Sequence, residues 1–589
     1  MTGNEAVARG AWEAGVTVAS AYPGTPSTEI LENIAHYQEI YGEWAPNEKV
    51  ALEVAIGGSI AGARSLASMK HVGLNVAADP LFTNAYTGIR GGLVIITADD
   101  PGMHSSQNEQ DNRNYAKFAK IPMLEPSDSQ EAKDFFIEAI KISEEFDTPV
   151  ILRMTTRVCH SKGLVELGER ELIPIKEYKK EINKYVATPA NAKVMRVKLE
   201  ERLKNLAEYS ERTPLNRVEW GDKKIGIIIS GVSYQYAKEV FGDKASYFKL
   251  GFSYPLPLDK IKAFASEVEE LYVVEELDPF IEEQLKAAGI QCIGKEKIPL
   301  IGELNPAIIA QSLTGEIKSS IDCDMDNVVP RPPTMCSGCP HRGLFYVLGK
   351  KSRDIIITGD IGCYTLASAD PLRAMDTCIC MGASISAGHG VQKAFEKNNV
   401  DKKVFAVIGD STFFHSGITG LMNIVYNKGN ATTIILDNRI TGMTGHQENP
   451  GTGYTLKGEK TNMIDIAKLC EGIGVKKIKT INPLNLEETA EAIEEAMDVT
   501  EPMVIIAKWP CALKRLWPEE KELYGNTRSK LYVNEDRCSG CKACIRTGCP
   551  SIAFINGKAH IDDSMCVGCA VCQQVCRFGA IQRQGGEGQ

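Results

Sequence analysis

Short runs of β-branched and other apolar residues recur along the chain, separated by longer amphipathic stretches. That alternation predicts βαβ units and parallel sheets. In the first 175 residues, the runs at 16–20, 93–97 and 150–154 predict strands, with Ala- and Glu-rich helical stretches between them. From about 177 to 222 the chain is rich in Lys and Glu without a strong strand pattern, which predicts a helical linker. Strand-like runs return at 224–231 and 271–275, then at 354–358, 404–409, 432–437 and 503–508. The expected layout is an α/β domain over 1–175, a linker over 176–222, a smaller α/β domain over 223–320, another α/β domain over 331–527, and a cysteine-rich tail over 528–582. The pair of cysteine runs in that tail is the one visible internal repeat.

At 589 residues the chain is too long for a single core. Its 43% apolar and 24% charged content is that of a globular protein. The net charge of −10, without a basic patch, argues against nucleic acid as a partner. No apolar stretch approaches the ~20 residues that span a bilayer, and residues 1–9 lack the layout of a secretory signal. Cysteine-rich runs in such a chain read as metal ligands rather than disulfides, and the expected location is the cytoplasm.

Eight of the eighteen cysteines lie in the tail: Cys538, Cys541, Cys544 and Cys549, then Cys566, Cys569, Cys572 and Cys576. This approximates the two-cluster ferredoxin pattern, in which three close cysteines bind one cubane and the fourth reaches across to the other. Cys576 therefore joins the first three, and Cys549 joins Cys566, Cys569 and Cys572. Two departures stand out: four residues, Ile545 to Gly548, precede Cys549 where three are usual, and Arg577 occupies a position where proline is common. Paired CxxC units also suit zinc, but three cysteines at steps of three, given twice, suit it poorly.

A second constellation lies upstream. The apolar run at 404–408 ends in Gly409-Asp410-Ser411, with a helix expected to begin near Ser416, and the next strand delivers Asp437-Asn438. This places an aspartate and an asparagine at neighbouring strand ends on the ligand-binding edge of a parallel sheet. Asp410, Asn438 and the backbone carbonyl of Ile440 would give magnesium its oxygen ligands. These residues resemble the thiamine diphosphate–magnesium motif. Together with Tyr22-Pro23-Gly24-Thr25-Pro26-Ser27, the stretch from Met69 to Asn75, that from Ala98 to Gln107, and Met335-Cys336-Ser337-Gly338-Cys339-Pro340-His341-Arg342, they resemble the 2-oxoacid:ferredoxin oxidoreductases over essentially the whole chain. Within that family the likeness is to the large subunits that act on indolepyruvate.

The resemblance implies a multidomain α/β fold. It contains two doubly wound thiamine diphosphate-binding domains (pyrimidine-binding over 1–175, diphosphate-binding over 331–527), a transketolase C-terminal-like domain over 223–320, and an α+β ferredoxin-like tail with two [4Fe–4S] clusters. It implies oxidative decarboxylation of an aryl 2-oxoacid to its acyl-CoA, with thiamine diphosphate, Mg2+ and coenzyme A taking part and an external ferredoxin receiving the electrons. A small second subunit would complete a hetero-oligomer. Glu48 is the carboxylate expected on the pyrimidine, with Glu53 the second choice, and Thr25 would present its hydroxyl to substrate. Gly409, Asp410, Ser411, Asn438 and Ile440 would bind the diphosphate and its metal. Cys336, Cys339, Cys363 and Cys511 leave a third cluster open. Relatives that use pyruvate place an arginine where this chain has Thr97-Ala98-Asp99-Asp100. That absence favours a bulkier substrate, with His104 and His341 as candidate polar contacts. A pyruvate or 2-oxoglutarate oxidoreductase, a non-redox thiamine enzyme and a non-catalytic electron-transfer scaffold are the alternatives.

Overall fold

The computed structural model describes residues 1–317, 324–329, 331–525 and 529–584. The chain forms two compact units, residues 1–324 and 325–589. The expected boundaries at 320, 527 and 528 lie outside the described residues, as does Cys323.

The first unit contains β1 (Val18–Ala21), β2 (Tyr41–Trp44), β3 (Ser65–Lys70), β4 (Leu93–Asp99), β5 (Met123–Leu124), β6 (Val150–Thr155), β7 (Asn216–Glu219), β8 (Ile225–Ser230), β9 (Ser246–Leu250), β10 (Phe252–Tyr254) and β11 (Glu270–Val274). Seven of them form a sheet in the order β10-β5-β6-β4-β3-β1-β2, and four form a second in the order β11-β8-β9-β7. Pairing is parallel except at β10 and β7. β4 and β6 are buried along their whole lengths, as a parallel sheet covered on both faces requires. β1 is flanked by β2 on one side and β3 on the other, so the chain reverses its direction of travel across the sheet at this point. Crevices at such switch points, beyond the carboxyl ends of the strands, are where α/β sheets bind ligands.

Two features depart from the expected layout. The stretch 176–222 holds the helix Pro189–Ser210 but also the edge strand β7. In β7 the charged Arg217 and Glu219 pair with each other at 3.0 Å, and this polar edge carries no apolar run to signal a strand. In addition, β10 pairs with β5 rather than with its own neighbours in sequence, so the second segment contributes to the first sheet.

A buried ionic network packs beneath the ends of β4 and β6. Arg153 holds Asp99 at 2.7 Å and also pairs with Glu125, while Arg113 holds Asp111 and Glu275 at 2.5 Å each. Glu276 lies in the same network, its Oε1 accepting from the amide of Leu304 at 2.9 Å. Burial pushes its carboxyl up to about 7. Because folding raises this group above its ordinary value of 4.5, the folded chain holds more protons than the unfolded one between about pH 4.5 and 7. Its ionisation therefore removes stability as pH rises through that window. Glu276→Gln is expected to flatten the fall in melting temperature of this unit between pH 5 and 8. An unchanged pH slope in thermal unfolding would contradict that expectation.

In the second unit, β12 (Ile355–Gly359), β13 (Thr377–Cys378), β14 (Lys403–Gly409), β15 (Thr432–Asp437), β16 (Lys477–Ile481) and β17 (Met503–Lys508) form an all-parallel sheet in the order β13-β12-β14-β15-β17-β16. Here β12 sits at the reversal, between β13 and β14. The helical path after β14 begins at once, at Asp410, rather than near Ser416. It passes through a wide π-type turn over Phe413–Gly417 before the regular helix Ile418–Tyr426. That turn lets Phe413 and Phe414 enter the core while Ser416 Oγ donates to Met381 O at 2.9 Å. Wide turns of this kind occur frequently at functional sites.

The tail pairs β18 (Leu531–Val533) with β21 (Ile581–Arg583), and β19 (Ile552–Ile555) with β20 (Lys558–Ile561). The latter hairpin closes on Asn556-Gly557, both with positive φ (48° and 80°), as a two-residue turn between right-twisted strands demands. Among the described residues, no helix is long and apolar enough to cross a membrane.

Candidate active site

The first unit places its candidate residues just beyond the carboxyl ends of β1, β2 and β4. Thr25 sits in the turn that follows β1. The turn is pinned by Ser27 Oγ donating to Gly24 O (3.0 Å) and by Asn4 Nδ2 donating to Pro26 O (2.7 Å). Glu48 is the first residue of the helix Glu48–Ile60, which starts there because the Asn47 side chain accepts from the amide of Val50. The helix turns Glu48 inward, to 4% exposure, whereas Glu53 points outward and pairs with Lys49. The Glu48 carboxylate lies so close under the helix His71–Val76 that a Cβ at Gly73 would come within 2.6 Å of Oε1. Only glycine fits there. His104 is 42% exposed, and its Nε2 lies 3.1 Å from Glu303 Oε2, a carboxylate it shares with Arg157.

The second unit gathers the diphosphate candidates at the switch point around β12 and β14. Gly409 is in register with Leu436, so Asp410 and Asp437-Asn438 emerge side by side. Asp410 is fully enclosed. Burial, with Asp437 beside it, pushes its carboxyl up to about 7, while the Asn449 amide donates to Oδ2 at 3.2 Å. Burial raises Asp437 as well, and Lys508 and Arg439 pull it back. Two neighbouring buried carboxylates, both raised by burial, are what a divalent cation would neutralise, so this site fits magnesium. Gly409 N–H donates to Tyr364 Oη (2.9 Å), Ser411 Oγ accepts from Thr441 Oγ1 (2.8 Å), and Ile440 N–H donates to Asn438 Oδ1 (3.2 Å). His341 Nε2 lies 3.4 Å from Asn438 Nδ2. Burial holds the ring neutral, at about 4, and Nδ1 has no hydrogen-bond partner among the described residues.

The same crevice collects thiols. Cys363 follows β12, and Cys511 follows β17, its amide donating to Asn438 O at 3.0 Å. Burial pushes Cys339 up to about 12, with Cys511 and Cys363 adding to the rise. It pushes Cys363 up to about 11, with Cys511 and Cys336 adding to that. Cys511 is raised by burial and in turn by Cys336 and Asp410. Cys336, Cys339, Cys363 and Cys511 thus form one group, beside the magnesium candidates.

In the tail, Cys538, Cys541, Cys544 and Cys576 line one pocket, with Phe554 and Phe578 among its walls. Cys572 is raised by burial and then by Cys569, Cys549 and Cys566, which marks the second foursome. Among the described residues, no three His, Cys, Asp or Glu side chains converge closely enough for a bare ion. The first foursome instead encloses a volume, which suits a metal–sulfide cage. Residues Ile545–Thr547, part of the longer first run, form a 3₁₀ turn whose Thr547 carbonyl accepts from Arg342 Nη1 at 2.9 Å. Arg342 Nη2 also donates to Met335 O (2.5 Å) and Cys336 O (3.0 Å). A Cβ at Gly338 would strike Val567 Cγ2 at 2.0 Å, so the Cys336–Cys339 loop packs directly on the Cys566–Cys569 loop. Asp437 and Arg342 stand out in the sequence only as members of motifs, without these roles, and nothing there marks Asn449 or Tyr364. Each acts through a neighbour more than twenty residues away, which no local motif records.

Comparison with known proteins agrees with this arrangement. Residues 9–217 match the model of the pyruvate flavodoxin/ferredoxin oxidoreductase thiamine diphosphate-binding domain, 360–507 that of the thiamine pyrophosphate enzyme C-terminal TPP-binding domain, and 530–577 that of the 4Fe-4S dicluster domain. The fold and site are thus those of a thiamine diphosphate-dependent oxidoreductase with fused iron–sulfur clusters. The indolepyruvate oxidoreductase subunits IorA of Archaeoglobus fulgidus, Methanothermobacter thermautotrophicus and Pyrococcus horikoshii are 42%, 41% and 40% identical, over 99% of this chain and 97%, 97% and 96% of theirs. The chain belongs to the indolepyruvate oxidoreductase subunit IorA family. A 2-oxoglutarate synthase subunit KorA of A. fulgidus is 26% identical over 47% of this chain and 87% of its own.

Proposed function

We propose that this chain is the catalytic subunit for coenzyme A-dependent oxidative decarboxylation of aryl 2-oxoacids, indolepyruvate among them. The products are acyl-CoA and carbon dioxide, and the two electrons leave one at a time through [4Fe–4S] clusters to a ferredoxin. One observation carries this reading. Cys511 stands beside Asp410 with its amide on Asn438 O, and Cys336, Cys339 and Cys363 neighbour it, thiols for which a thiamine enzyme without redox chemistry has no use. Bound thiamine diphosphate supplies the carbanion that attacks the keto carbon and takes up the electrons left when carbon dioxide departs. Glu48 holds the proton relay on its pyrimidine, and the Thr25 hydroxyl orients the substrate. Asp410, Asn438 and the Ile440 carbonyl hold Mg2+ against the diphosphate, with Gly409 and Ser411 shaping the turn. Cys336, Cys339, Cys363 and Cys511 would hold a third cluster. The Cys549–Cys572 set is next in line and the Cys538–Cys576 set last. A small second subunit completes a hetero-oligomer.

Turnover by the anaerobically prepared complex tests this. Coenzyme A-dependent dye reduction with indolepyruvate should exceed that with pyruvate or 2-oxoglutarate and yield the aryl acyl-CoA. Faster turnover of either small acid would overturn the substrate assignment.

Arg342 belongs to the electron path. Burial raises the Cys339 and Cys569 thiols, one in each of two neighbouring groups, and the Arg342 charge pulls both back part of the way. Arg342→Gln is expected to lower the reduction potential of both clusters by roughly tens of millivolts, since removing nearby positive charge favours the oxidised form. Arg342→Lys should keep the potentials while loosening the grip on three carbonyls. Potentiometric EPR titration that finds both potentials unmoved in the glutamine variant would contradict this.

A further inference from the structure

We infer that Lys70 is the cation that receives the carboxylate of the 2-oxoacid, in place of the arginine missing from the end of β4. This rests on reading the crevice of the first unit as the substrate side of the site. The arginines near that strand end are not available: Arg153 is committed to Asp99 and Glu125, and Arg113 to Asp111 and Glu275.

Lys70 is differently placed. It is the last residue of β3, and β3 adjoins β1 at the switch point, with Ser68 in register with Ala21. Its aliphatic stem crosses the Thr25 turn so closely that a Cβ at Gly24 would lie 3.2 Å from Lys70 Cγ. The stem thus delivers the ammonium to the turn whose hydroxyl is proposed to orient substrate. Nζ donates to Ser105 O at 3.1 Å. An ammonium carries three N–H groups, so there is capacity for a ligand.

Asp100 and Glu48 are the nearby acids, and each is also engaged elsewhere. Asp100 spends Oδ2 on the Ser105 amide (2.9 Å) and Ser106 Oγ (2.8 Å), and Oδ1 on Thr156 Oγ1 (2.7 Å). Glu48 lies under Gly73. Burial pushes the Lys70 ammonium down to about 8, with Asp100 and then Glu48 pulling the other way. A partly desolvated ammonium of this kind is completed by an anion. A lysine also suits a carboxylate that must leave as carbon dioxide. It holds the group as a point charge, without the two-pronged clamp of a guanidinium.

The test is equilibrium binding of two unreactive probes, indole-3-propionate and its neutral primary amide, to the intact anaerobic complex loaded with thiamine diphosphate and Mg2+. Lys70→Met should weaken the acid about 10- to 100-fold, the worth of a charge-assisted hydrogen bond, while leaving the amide within about 3-fold. KM for indolepyruvate should rise in parallel at unchanged thiamine diphosphate content, and Lys70→Arg should restore much of the acid binding. If acid and amide weaken equally in Lys70→Met, or neither does, while the wild type still forms acyl-CoA, the assignment of Lys70 is wrong and the functional reading stands. A wild-type complex that binds neither probe and turns over no aryl 2-oxoacid overturns both.

Discussion

Asp410→Ala is expected to remove 2-oxoacid-dependent activity, by on the order of a thousandfold or more, while the ferredoxin-type visible absorption of the complex is unchanged. The carboxylate is buried beside Asp437, and burial with that neighbour raises it although the Asn449 amide and Arg439 pull it back. Asp410 would be a ligand of Mg2+ in the proposed site, so alanine removes both the ligand and a charge that favours the metal. The cluster cysteines of the tail are held by their own loops and hairpin and do not use Asp410. Coenzyme content and the absorption spectrum, measured on the same sample, separate the two effects. Full activity with thiamine diphosphate still bound would show that Asp410 is not the ligand.

Glu48→Gln should cost about 10²- to 10⁴-fold in turnover, the usual worth of a positioned proton-transfer group. Glutamine keeps the shape under Gly73 and the cap from Asn47, so the helix Glu48–Ile60 stays in place. What changes is the ability to take and return a proton. Coenzyme should still bind, and chemical reduction of the clusters by dithionite should be normal. Glu53→Gln is the control: that residue only pairs with Lys49 at the surface, and its loss should move turnover by less than about twofold. If the two variants behaved alike, Glu48 would not be the pyrimidine carboxylate.

Much of the fold was legible because parallel strands buried on both faces are written as continuous apolar runs, as in β4, β14 and β15. Among the strands without a predicted run are β2, β3, β5, β9, β13 and β16, the polar edge strand β7 and the three-residue β10; the last two owe their place to partners rather than pattern. The two cysteine runs and Gly409-Asp410-Ser411 were readable for a different reason. Chemistry that needs several ligands on one loop fixes their spacing along the chain. The long-range partners had no such mark. Lys70 looks like any strand-ending lysine until the Thr25 turn is seen beneath it, and Arg342 looks like a helix-surface arginine until its carbonyl partners are known. The extra residue in the Ile545–Gly548 stretch carries no sequence sign of a partner, yet the Thr547 carbonyl there is one of those partners.

The central claim is that electrons from a decarboxylated 2-oxoacid enter iron–sulfur clusters on this same polypeptide. Freeze-quench EPR after mixing the anaerobic complex with indolepyruvate, without ferredoxin or dye, tests it most directly. Signals of reduced cubanes should appear only when thiamine diphosphate and Mg2+ are present, and should be absent in Asp410→Ala. Carbon dioxide release from indolepyruvate with every cluster left oxidised would contradict the account.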